Sequence, residues 1–125
     1  VIDLIGRPYR LGATGADADG AIDCIHLVFE VHRRLGYDCP ATRAAWYGSN
    51  GFLIGRDLLR WWLRLDYAEY DGDVLYTPQP QPAFSVRWDH GCLYINRQLQ
   101  AVAWCPIDSL QPMYCFRSKS ASSKS

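Results

Sequence analysis

The stretch IDCIHLVFEVHRRLG (Ile22 to Gly36) decides how this chain is read. Cys24, Leu27, Val28, Val31 and Leu35 recur at helical spacing and build one apolar face. Asp23 stands where an N-cap side chain is wanted, and Gly36 is a natural C-terminal stop. His26, Glu30, Arg33 and Arg34 are expected on the polar side. The helix so predicted opens on a cysteine. Its first turn carries unpaired backbone N–H groups that favour negative charge, and the thiolate, not the thiol, is the nucleophile. Cys24 is therefore either an activated nucleophile or a core thiol, and what separates the two is whether a histidine reaches it.

Toward the N-terminus, Val1 to Ile5 is a short apolar piece stopped by Gly6 and Pro8, and GATGADADG (Gly12 to Gly20) reads as a loop. On the other side, Cys39-Pro40 ends a turn and Ala41 to Gly51 is expected to hold a short helical turn. RDLLRWWLRL (Arg56 to Leu65) places Arg56, Arg60 and Arg64 four apart, which predicts a second amphipathic helix with Trp61 and Trp62 as core and rim residues. Trp46 and Tyr47 read as core.

From Asp71 the period changes. DGDVLYT is a turn followed by a strand, and PQPQP (Pro78 to Pro82) must be extended and outside any ladder, so Thr77 to Asp89 is read as a Pro-rich loop. HGCLYI (His90 to Ile95) and LQAVAW (Leu99 to Trp104) are two strands around a turn at Asn96-Arg97-Gln98, and Met113 to Arg117 adds a third. Residues 1–117 then form a single domain and SKSASSKS (118–125) a disordered Ser/Lys tail. Helices first and antiparallel strands after predict an α+β fold.

With 125 residues the chain is the size of one domain, and 13 Lys and Arg against 13 Asp and Glu leave no net charge. That balance argues against nucleic acid or an anionic membrane as the main partner. No apolar run approaches a bilayer span, and no signal-peptide pattern is visible. The five cysteines (Cys24, Cys39, Cys92, Cys105 and Cys115) lack the paired spacing of zinc sites, so no metal and no cofactor is expected; the odd number leaves at least one thiol free. Localisation and oligomeric state are open on this reading, with the bacterial envelope, a phage particle and the cytoplasm all compatible.

Of the three histidines, His26 lies two residues beyond Cys24 and points to another side of the helix, and His32 is too far along it. His90 meets the thiol if the hairpin packs against the helix's N-terminal end; otherwise it is a strand-edge residue that merely packs.

Four segments taken in order, GRPYRLG (Gly6 to Gly12), DGAIDCIHLV (Asp19 to Val28), DGDVLY (Asp71 to Tyr76) and HGCLYI, resemble the NlpC-type cysteine peptidases of the papain-like superfamily. LGYDCP (Leu35 to Pro40) is similar to the version found in phage tail assembly proteins. The resemblance implies helices packed on a C-terminal antiparallel sheet, and a cysteine peptidase or amidase that cuts bacterial cell-wall-type peptides. It implies Cys24 as nucleophile and His90 as general base. Tyr9 would stand beside the site, Asp23 would face the cleft to hold a substrate amine, and the Cys24 N–H would donate to the oxyanion.

Some positions depart from the family. Ile25 and His26 stand where it has Ser or Trp and then Gly, and Gly91 is displaced by one within the strand motif. The third member, which orients the histidine, falls on Gln100 if a three-residue loop pairs His90 with Trp104; a two-residue turn pairs His90 with Ala103 and leaves the position empty. Two further readings stand beside the hydrolase: a catalytically inactive relative that binds peptides or serves a tail or envelope assembly, and an acyltransferase using the same pair.

Overall fold

A computed structural model describes residues 2–42, 46, 56–77, 83–107 and 114–124 of the chain. The architecture is α+β. Helix α1 (Cys24–Arg34) lies across one face of a six-stranded sheet of β1 (Trp62–Leu65), β2 (Val74–Thr77), β3 (Ala83–Trp88), β4 (Gly91–Asn96), β5 (Ala101–Pro106) and β6 (Tyr114–Ser118), and a short helix α2 (Lys119–Lys124) follows. The strand order is β1-β6-β2-β3-β4-β5, and every pairing is antiparallel.

Helix α1 forms where its periodicity predicts. Asp23 caps it by accepting from the His26 N–H, and at its far end the Leu35 and Tyr37 N–H groups close on Val31 and His32 carbonyls. Leu27, Val28 and Val31 are fully buried. His26 and His32 are buried too, which corrects the expectation that His26 lies on the polar side: Asp23 and Thr42 satisfy its two ring nitrogens, so burial costs it no hydrogen bond.

The helix packs chiefly on β3 and runs in the same direction. Cys24 lies at the Phe84 end. At the other end His32 Nε2 donates to the Gly72 carbonyl at 2.7 Å, and the Gly72 N–H donates to Arg87 O at 2.8 Å. Along the free edge of β5, Val102 exchanges backbone bonds with Gly6 and Arg7, and the Tyr9 N–H donates to Gln100 O. This strap carries Tyr9 to the end of the sheet where α1 begins.

Four sequence expectations are corrected. First, RDLLRWWLRL is helical only at Arg56–Leu58; the chain turns and enters β1, whose Trp62 pairs with Ser118 and whose Leu65 pairs with Cys115. Once β6 supplies a partner, WLRL is held extended, and Trp62, 2% exposed, meets the rings of Phe29, His32, Phe84 and Phe116. Second, Ala83–Trp88 of the supposed loop is β3, with Val86 in the core facing α1; Pro78 to Pro82 lie outside the described residues, as do Tyr47 and most of Ala41 to Gly51. Trp46 is core, its Nε1 donating to Asp57.

Third, the β4–β5 hairpin closes through four residues, pairing Asn96 with Ala101 and Leu93 with Trp104, so neither register considered for His90 occurs. Fourth, the Ser/Lys tail is tied in. Ser118 ends β6, the Lys119 N–H donates to Trp61 O, and Ser120 Oγ accepts from the Asp38 N–H.

On the sheet's other face, Leu75, Cys92 and Cys115 form a second cluster with Leu65, Ala68, Cys105 and Ile107. Buried Asp73 anchors it, accepting from the N–H groups of Glu69 and Tyr70 and twice from Arg117. All five cysteines are free thiols. Cys92 and Cys105 face each other across β4 and β5, and burial, then Cys105, pushes the Cys92 thiol up to about 12.

Candidate functional site

Cys24 occupies the first position of α1, as its capping aspartate dictates. The N–H groups of Phe84, Cys24 and Ile25 point at its sulfur and favour the thiolate. Burial works against them and wins: with the Asp23 carboxylate adding to it, the thiol rises from 9.0 to about 11. An imidazolium beside a cysteine instead lowers it to roughly 3.5–7.5. Among the described residues no side-chain hydrogen bond joins Cys24 to a histidine.

What surrounds the sulfur is aromatic. Tyr9, half-buried, has its hydroxyl raised by burial and then by the negative charges of Cys24 and Asp23. Tyr76 at the end of β2 is raised by burial, then by Cys24 and Tyr114. Phe84 opens β3 and packs against Tyr76 at 4.8 Å between ring centroids. Tyr76 and Phe84 are residues of this site that the sequence pattern does not single out. Tyr76 was visible as the last apolar position of DGDVLYT, whereas Phe84 lay within the supposed loop.

The predicted residues divide as follows. Cys24, Tyr9 and Asp23 come together. Asp23, however, is 1% exposed, and its carboxylate is occupied: Oδ1 takes the His26 N–H and Nδ1, both at 2.8 Å, and Oδ2 takes the Gly12 N–H at 3.1 Å. It is a structural acceptor and does not face a cleft.

His90 is not on a strand. It is exposed, in the two-residue turn joining β3 to β4, beyond Trp88 and at the opposite end of β3 from Phe84. Four residues of extended chain separate Phe84 from Trp88, roughly 13 Å at the usual rise. The structure therefore does not bring His90 to Cys24. Gln100 sits in the β4–β5 turn with its Nε2 donating to Arg97 O at 2.7 Å, and it does not reach His90 either. The Gly91 after the turn is required there, since a Cβ would collide with the Cys105 carbonyl and the Trp104 ring.

Beside Tyr76 and Phe84 opens an apolar groove of about 270 Å³, walled also by Leu58, Trp62, Tyr114 and Phe116. It is smaller than the roughly 300–1,000 Å³ of pockets for drug-sized ligands and suits one or two apolar side chains. Among the described residues its one charged wall residue is Arg64, whose guanidinium lies 4.7 Å from the centre of the Tyr114 ring. Among the described residues no cluster of side chains could hold a metal ion, and no helix is long and apolar enough to cross a membrane.

Comparison with known proteins finds no matching family model, no matching curated sequence and no matching solved structure.

Proposed function

We propose that the chain is a relative of the NlpC-type domains in which the Cys24 thiol is chemically silent and the aromatic groove beside it binds peptides of the cell-wall type. The observation that carries this reading is what meets the sulfur from β3: the backbone N–H of Phe84 and no imidazole, in a setting where burial pushes the thiol up to about 11. A thiol of that pKa is about 0.01% thiolate at pH 7, and a neutral thiol hardly attacks an amide. Hydrolysis through Cys24 and His90 would require the β3–β4 turn to travel the length of a strand. The groove offers aromatic surface for apolar side chains and the Arg64 cation for a carboxylate, two features that stem peptides with free acidic groups would engage.

Two measurements test the proposal together. Iodoacetamide labelling of Cys24, followed by peptide mapping, is expected to be slow at pH 6–8 and to rise only above pH 9. Calorimetric titration with a synthetic cell-wall stem peptide is expected to give binding with the peptide recovered intact. Rapid labelling near pH 6, or peptide cleavage lost in Cys24→Ala, would overturn it.

A further inference from the structure

A second constellation lies at the same end of α1 and uses neither Cys24 nor His90. His26 Nδ1 is 2.8 Å from Asp23 Oδ1, and His26 Nε2 is 2.7 Å from Thr42 Oγ1. Two backbone N–H groups, those of His26 and Gly12, already donate to the Asp23 carboxylate, so it is held as an acceptor. In the neutral imidazole the proton then sits on Nδ1, which leaves the Nε2 lone pair to accept from the Thr42 hydroxyl. His26 is 5% exposed and cannot swing away, whereas Thr42 is exposed to solvent. A hydroxyl, a base and an orienting carboxylate in series form the arrangement that activates an alcohol for acyl transfer.

The geometry points to Thr42 as an acyl-accepting hydroxyl, with His26 as its general base and Asp23 as a positioning residue, that takes an acyl group from activated esters or thioesters. Thr42 Oγ attacks the carbonyl carbon while its proton passes to His26 Nε2. The bond to the leaving alcohol or thiol then breaks, and the leaving group takes that proton. The products are a Thr42 ester and a free alcohol or thiol, with no change of oxidation state. Water attacking the ester by the same route would restore the hydroxyl.

The test is a burst experiment with p-nitrophenyl acetate on the full chain carrying Cys24→Ala, so that the thiol cannot contribute, followed by peptide mapping of the acetyl group. One acetyl on Thr42 is expected, retained in Thr42→Ser and absent in Thr42→Val. His26→Gln preserves hydrogen-bonding capacity but cannot take the proton, and it should slow the burst about 100-fold or more. Asp23→Asn keeps one oxygen for the helix cap but turns an amide N–H toward the Gly12 N–H, so it should lower the melting temperature; below that transition it should also slow the burst and shift its pH profile, a change that a purely structural aspartate would not give. If His26→Gln disturbs the fold by circular dichroism, His26→Gly supplemented with imidazole replaces it, and rescue of the burst is expected. Acetylation elsewhere than Thr42, or a burst indifferent to His26 with the fold intact, would overturn the inference.

Discussion

The two ends of β3 hold complementary halves of one chemistry. At the Phe84 end lie a thiol on a helix N-terminus, two tyrosines and an apolar groove. At the Trp88 end lie the exposed His90, the buried His32 one strand away at Gly72, and a second groove of about 260 Å³ between Trp88 and Trp104. The Cys24 thiol and these two imidazoles lie at opposite ends of the strand. The order of motifs along a chain does not determine which strand lies opposite a helix terminus; here β3 comes between β2 and β4 and brings the Phe84 backbone to the sulfur, while its far end carries the turn that holds His90. Helix geometry can favour a thiolate, but desolvation outweighs it unless a cation is supplied at the same end.

The strongest way to break the contrast is to supply one. Phe84→His places an imidazole where the β3 backbone already meets the Cys24 sulfur, and a neighbouring imidazolium pulls a thiol toward roughly 3.5–7.5. A lower pKa also makes each thiolate less nucleophilic, which recovers part of the gain. The net expectation is a roughly tenfold to hundredfold faster labelling of Cys24 by iodoacetamide at pH 7. His90→Ala in the same assay should change nothing. A variant that stays as inert as the parent while folded would show that the sulfur and the ring at position 84 are not neighbours in solution.

How much of this was legible follows from where each signal resides. Helix α1, its cap and its stop are local: the apolar spacing and Asp23 are in the sequence and place Cys24 at the helix's first position, whereas Tyr9 beside it follows only from the resemblance. The strand β1 was not legible, because the arginines spaced by four from Arg56 to Arg64 imitate a helix, and only pairing with β6, far along the chain, selects the extended form. β3 was concealed by the prolines before it. The misassignment of His90 came from the turn: DHG reads as the entry to a strand, yet Trp88 pairs with Gly91 and leaves Asp89 and His90 as the two loop residues. Nor did any single-residue pattern announce that His26, Asp23 and Thr42 meet, since the contact with Thr42 depends on the path of the chain after α1.

The far end can be examined through pH. Burial pushes the His32 imidazole below its ordinary 6.5, against the opposing pull of the Gly72 carbonyl and the Asp73 charge. On acidification through about 6.5 the unfolded chain therefore takes up a proton that the folded chain refuses, so stability falls as pH drops, by at most about 1.4 kcal/mol per pH unit, until the folded value is reached. His32→Gln can still donate to the Gly72 carbonyl but does not titrate. Urea midpoints taken between pH 7 and 5.5 should thus fall more steeply for the parent than for the variant, and parallel slopes would mean that His32 is not held neutral.

The smallest expected effect bears most directly on His90. Asp89 and His90 have φ of 51° and 64°, the left-handed region that a two-residue hairpin turn of the I′ kind requires at both central positions. A histidine there costs roughly 1–2 kcal/mol of left-handed strain, while glycine would forgo that strain at an entropic cost of about 0.5–1 kcal/mol. His90→Gly creates the Asp-Gly pair such turns favour and should stabilise the domain by about 0.5 kcal/mol, read as a small rise in the urea midpoint. A residue chosen for general-base work tolerates no such replacement, so the same variant should leave peptide binding and Cys24 labelling unchanged. Loss of either would return His90 to the functional site and dissolve the separation between the two ends.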